Sequence, residues 1–203
     1  MKFELITALM AFAFVSSITP GPNNLMLMAS GANFGFRQTI PHMLGVALGF
    51  TLMIVLVGVG LVQIFDTFPV TYNVLRVCSI TYLLYLAYKI ATAAAPQDSQ
   101  NSKKNKKTPF TFIQAALFQW VNPKAWTMAL TAISVYSPTR SVETIVIVAL
   151  IFGAINLPSV SVWTIMGQKL KAILTNNARL RAFNFTMAFL LIGSLYPVVV
   201  GSH

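Results

Sequence analysis

Acidic residues are almost missing from this chain. Of its 203 residues only Glu4, Asp66, Asp98 and Glu143 are acidic, and all fall near the ends of apolar runs or between them. That excludes a carboxylate cage for a hard metal ion and a buried pair of catalytic carboxylates. Cysteine is scarce too. Cys78 alone rules out an intrachain disulfide and any CxxC redox or zinc site. No HExxH or GxSxG occurs, so the commonest metal-hydrolase and serine-hydrolase signatures are absent. Charged residues make up 9% of the chain, against about 25% in a soluble domain. What fills the chain instead is apolar: 56% hydrophobic residues and a mean hydropathy of +0.72. So short a chain cannot hide that much apolar surface in one water-facing core. The solvent it is built for is a lipid bilayer.

Six apolar runs are each long enough to cross a hydrocarbon core of about 30 Å. They are 5–36, 41–65, 71–93, 109–136, 144–166 and 182–200. The expected fold is an all-α polytopic membrane protein of six transmembrane helices. Three lie in residues 1–94 and three in 109–203, joined by a basic loop at 95–108. Repeats with an odd number of spans are inverted relative to each other, which makes this an inverted 3+3 repeat.

The net charge of +10 is not a nucleic-acid footprint, because its residues sit between spans. Lys103, Lys104, Lys106 and Lys107 fall between the third and fourth runs. Lys169, Lys171, Arg179 and Arg181 fall between the fifth and sixth, and Arg37 between the first and second. The other two loops carry Asp66 and Arg140. Basic residues concentrate on cytoplasmic loops, so both termini are expected outside a cytoplasmic membrane. Lys2 and Glu4 cancel and add no orientation signal. Residues 1–18 also have the lysine, apolar run and small residues of a secretory signal. Glu4, and the apolar pattern that resumes directly after "TPGPNN", favour a first span.

That first run is broken in its middle. Pro20, Gly21, Pro22, Asn23 and Asn24 come together, and proline both removes a backbone donor and clashes with the preceding turn. The fourth run repeats the theme in "FQWVNPKAW", with Asn122 and Pro123 followed by the charge of Lys124. In lipid, freed carbonyls need new partners, so such breaks survive only where protein or water surrounds them. Paired broken helices at corresponding places in two halves are the sequence pointer to a transporter's binding site.

At these motifs the chain resembles the lysine exporter/homoserine–threonine resistance (LysE/RhtB) family of bacterial amino-acid exporters. The likeness extends through "GANFGFRQTIPHMLGVALGF", "ITYLLYLAYKI", "FQWVNPKAW" and "VWTIMGQKL", in order along essentially the whole chain. Residues 35–50 look most like the cysteine/O-acetylserine exporter branch. Ser79 departs from the small glycine expected before the third-span tyrosine. The resemblance implies an inner-membrane exporter of amino acids or their derivatives, driven by the proton gradient, with a homodimer as the implied assembly. No cofactor is implied.

The candidate substrate-binding residues are Pro20, Gly21, Pro22, Asn23, Asn24, Asn122, Pro123, Lys124 and Asn156. Amides both donate and accept, which suits a zwitterion; they equally suit carbonyls freed by the prolines, and the two roles are compatible. Lys124, deep in a span and with no evident acid partner, is expected to attract a carboxylate. Asn156 either completes the site from the fifth span or makes a polar helix–helix contact. His42 is a candidate proton relay, set against a plain hydrogen-bonding role. Gly31 with Gly35, and Gly45 with Gly49, form GxxxG pairs that predict close helix packing, within or between subunits. A transporter or channel for another small solute or cation stays open as the alternative function.

Overall fold

The structure, a computed structural model, describes residues 1–61, 63, 67–68, 70–93, 108–137, 141–174, 176–196 and 199, and the regular structure among them is all helical. The lysines of 103–107, Asp66, Asp98 and Arg140 lie outside the described residues, so the basic loop is not among them. The described residues form eight α-helices. They are α1 (Phe3–Ile18), α2 (Pro22–Phe34), α3 (Phe36–Leu56), α4 (Val70–Ala91), α5 (Phe112–Phe118), α6 (Pro123–Tyr136), α7 (Val142–Lys171) and α8 (Asn177–Gly193). A π turn, Val57–Leu61, prolongs α3, and a 3₁₀ turn, Gln119–Val121, ends α5. Three of the helical stretches, Phe36–Leu61, Val70–Ala91 and Val142–Lys171, are long and apolar enough to cross a membrane, and the bent pair of α1 and α2 makes a fourth if it is one span.

Both breaks fall where the prolines require. α1 and α2 meet at a 53° bend. Pro22 and Pro123 each open the helix that follows their break, where a missing N–H costs nothing. Three boundaries differ from the sequence expectation. α3 starts at Phe36 rather than 41, because Gly35 turns the chain with φ +82° and the Gln168 side chain accepts the Phe36 N–H at 2.6 Å. α7 runs five residues past the expected 166, to Lys171, and stays helical through Pro158, since one proline removes only one backbone donor. α8 starts at Asn177 rather than 182, because Asn176 caps it by accepting from the Ala178 N–H at 2.9 Å.

Each half of the chain lays its broken segment along the long helix of the other half. α1 and α2 pack on α7, α5 packs on α3, and α4 lies against α8. Glycines permit the closest crossings. A Cβ at Gly167 would stand 2.0 Å from the Met28 carbonyl oxygen, and one at Gly31 2.2 Å from that of Thr164. Likewise a Cβ at Gly45 would meet the Phe112 carbonyl oxygen at 2.3 Å and one at Gly49 the Ala116 Cα at 2.6 Å. These glycines therefore pack helices within one chain. Leu9 and Ala13 of α1 are fully buried, so the first segment is built into the fold. Leu48, Leu52, Val77, Leu150 and Phe189 point outward and exposed, the surface expected of helices solvated by lipid.

Candidate functional site

The two breaks meet. Lys124, at the start of α6, extends its side chain across Gly21 and donates to the Thr19 carbonyl at 2.8 Å, the Thr19 hydroxyl at 2.9 Å and the Pro20 carbonyl at 3.3 Å. Among the described residues no carboxylate pairs with the ammonium; it is held by the C-terminal end of α1, where the helix dipole favours a cation. Gly21 makes room for this: a Cβ there would lie 2.6 Å from Lys124 Cδ. Its backbone is fully extended (φ −179°), so glycine is needed here for space and not for conformation.

A helix end leaves four carbonyls without intrahelical partners, and every one at the end of α1 is accounted for. Val15 accepts from the Thr19 N–H at 3.2 Å. Ser16 and Ile18, which would have bonded the missing N–H groups of Pro20 and Pro22, accept from Thr19 Oγ1 at 3.1 Å and Trp163 Nε1 at 3.0 Å. Ser17 accepts from Asn24 Nδ2 at 2.8 Å, and the same amide reaches the Thr19 carbonyl at 2.7 Å. Asn24 thus commits both donors to the backbone of the break.

Asn23 makes a reciprocal pair with Gln119: Nδ2 donates to Gln119 Oε1 at 2.8 Å and Oδ1 accepts from Gln119 Nε2 at 3.2 Å. Gln119 is fully buried and also donates to the Ala115 carbonyl at 2.8 Å. Asn122 caps α6 by accepting from the Lys124 N–H at 3.2 Å. On α7, Asn156 Nδ2 donates to Ser17 Oγ at 3.2 Å, while Asn156 Oδ1 is buried with no partner among the described residues. An orphaned buried acceptor is rare enough to need a reason. No side chain caps the N-terminus of α2, so its first N–H groups carry the positive end of the helix dipole unopposed.

Gly21, Asn23, Asn24, Asn122, Lys124 and Asn156 line one cavity of about 20 Å³. Six of the nine predicted residues are therefore brought together. Pro20, Pro22 and Pro123 do not line the cavity; they shape its backbone, and Pro20 offers its carbonyl to Lys124. The volume suits about one water molecule, so the site is closed in this conformation. His42 is elsewhere, on α3, beside a different cavity. Sequence reasoning passed over Ser17, Gln119 and Trp163. Ser17 and Gln119 each put a polar group in an apolar run near a break, which was the available signal; Trp163 lies on the unbroken α7, 145 positions from the Ile18 carbonyl it bonds, and no local pattern marks it.

The LysE type translocator family model matches residues 14–194. The chain is 26% identical over 196 residues to proteins named cysteine/O-acetylserine efflux protein from Escherichia coli strain K12 and from Shigella sonnei strain Ss046. The match covers 95% of this chain and 96% of each relative. No solved structure matches the chain significantly.

Proposed function

The chain belongs to the LysE type translocator family, and on that premise we propose that it exports a small neutral amino acid or derivative, with the joined breaks as its cargo site. The named relatives point to cysteine or O-acetylserine as the first cargo to test; homoserine and threonine follow. The observation that carries the reading is the contact from Lys124 in one break to the Thr19 and Pro20 carbonyls of the other.

In that contact the Lys124 ammonium stands in for the ammonium of a zwitterion. When a cargo carboxylate draws the Lys124 ammonium away, the Thr19 and Pro20 carbonyls are released as acceptors. They and Asn156 Oδ1 can then take the cargo ammonium. The uncapped N–H groups at the start of α2 add a second attraction for the carboxylate. Recognition and opening are thus one event. The cavity admits an amino acid only once the Lys124 bridge lets go, and a protein whose bridge breaks for cargo alone does not leak. Outward movement is driven by the proton gradient, across a bacterial cytoplasmic membrane.

The test is efflux of radiolabelled cysteine, O-acetylserine, homoserine and threonine from cells overproducing the protein, with and without a protonophore. The expected result is faster efflux of at least one of them than from control cells, slowed by the protonophore. Efflux equal to the control for all four would overturn the reading.

A further inference from the structure

We propose that the cavity between α2, α3, α4 and residues 108–110 is a second, shallower site for the carboxylate of the same cargo, where it is held before reaching the breaks. The proposal rests on the export reading above. The cavity measures about 340 Å³, within the range of small-molecule pockets and large enough for a small amino acid.

Two of its polar groups, Lys89 and His42, are suited to an anion. Lys89 stands at the rim, its Nζ 5.4 Å from the centre of the Phe110 ring and 5.7 Å from that of Tyr85. Among the described residues the only acids are Glu4 and Glu143, and neither pairs with it. Phe110 also lies tilted against His42, with ring centres 5.3 Å apart. His42 is 1% exposed, and among the described residues neither of its ring nitrogens has a hydrogen-bond partner. A buried imidazole with two unmet nitrogens is costly, and this one borders the cavity. A cation at the mouth and an imidazole N–H at the wall are the groups a carboxylate calls for. The remaining lining, including Met26 and Leu86, suits a short uncharged side chain.

The position fits a station on a path. Asn23, Met26, Ser30 and Asn33 recur at helical spacing on one face of α2. Asn23 lines the closed cavity at the breaks, and the other three line the larger one. Seven residues separate Asn23 from Ser30, about 10 Å along the helix. The mouth lies at the end of α4 that leads into the basic segment, the side that the positive-inside rule assigns to the cytoplasm. Cargo bound there is on the side from which an exporter loads.

The experiment is uptake of radiolabelled O-acetylserine, across a concentration series, into everted membrane vesicles holding wild-type protein, Lys89→Gln, Lys89→Arg or Lys124→Met. Lys89 is exposed, so its variants are expected to fold. The proposal predicts that Lys89→Gln raises KM about tenfold, the loss of one charge-assisted contact, with the maximal rate unchanged. Lys89→Arg should restore KM towards wild type. Lys124→Met should instead lower the maximal rate. An unchanged KM in Lys89→Gln, or a fall in its maximal rate alone, would overturn the second site and leave the export reading standing. No uptake by the wild-type protein of any of the four amino acids, O-acetylserine, cysteine, homoserine or threonine, would overturn both.

Discussion

Asn24 and Asn156 are the same residue type in the same cavity with opposite commitments. Asn24 gives both amide hydrogens to carbonyls of the α1 terminus, at 2.8 and 2.7 Å. Replacing it by leucine keeps the volume and leaves the Ser17 carbonyl buried without a donor. An unmet buried group costs about 1–3 kcal/mol. Asn24→Leu should therefore lower the thermal unfolding temperature in detergent, read by intrinsic fluorescence, and reduce the folded protein recovered. Asn156 makes one weak bond, to Ser17 Oγ at 3.2 Å, and keeps its oxygen unpartnered. Asn156→Leu should leave the unfolding temperature near wild type while efflux falls severalfold. A variant that loses stability and keeps full specific efflux would assign Asn156 to the scaffold. In the sequence these two asparagines could not be told apart. Their partners are backbone atoms fixed by the bend and a serine 139 positions away, and no local pattern records either.

At the scale of helices, the breaks were readable because proline and asparagine act on the backbone next to them, whatever packs around. The ends of α3 and α8 were misjudged for the complementary reason. They are set by Gln168 accepting from Phe36 and by the Asn176 cap, and the first of these is a long-range contact. Helix faces were half readable: the GxxxG pairs announced close packing but not the partner. The structure assigns Gly31 and Gly167 to the α2–α7 crossing, where an added methyl meets backbone at 2.2 and 2.0 Å. Backbone cannot rotate away as a side chain can, so Gly167→Ala must push the helices apart, at about 1–3 kcal/mol. Its unfolding temperature should drop clearly. Gly193→Ala, at the end of α8 with nothing within 4 Å of the new methyl, should be neutral or slightly stabilising. Equal behaviour of the two variants would contradict the assigned crossing.

For the whole molecule, the account is of two halves that exchange their broken segments and lock through one cation. The orientation proposed from the basic residues can be checked with one introduced cysteine. A cysteine placed at Ser102 in a Cys78→Ser background should resist an impermeant thiol reagent in intact cells. Labelling from outside would reverse the topology and with it the loading side. The composition announced the membrane, and the paired breaks announced where the halves meet. What the sequence could not announce is that Lys124 answers to carbonyls 104 and 105 positions earlier. That link is also the central claim, because Lys124 comes from the second half and its partners from the first. The direct measurement is efflux of the exported amino acid, normalised to protein in the membrane, for wild type, Lys124→Arg and Lys124→Met. A charge this deep costs about 2.5–3.5 kcal/mol on insertion scales, so the methionine variant should insert readily. The account predicts that it reaches the membrane at normal abundance and exports nothing. Lys124→Arg, with its charge kept and its geometry changed, should retain part of the activity. Near-normal efflux by Lys124→Met would contradict the account.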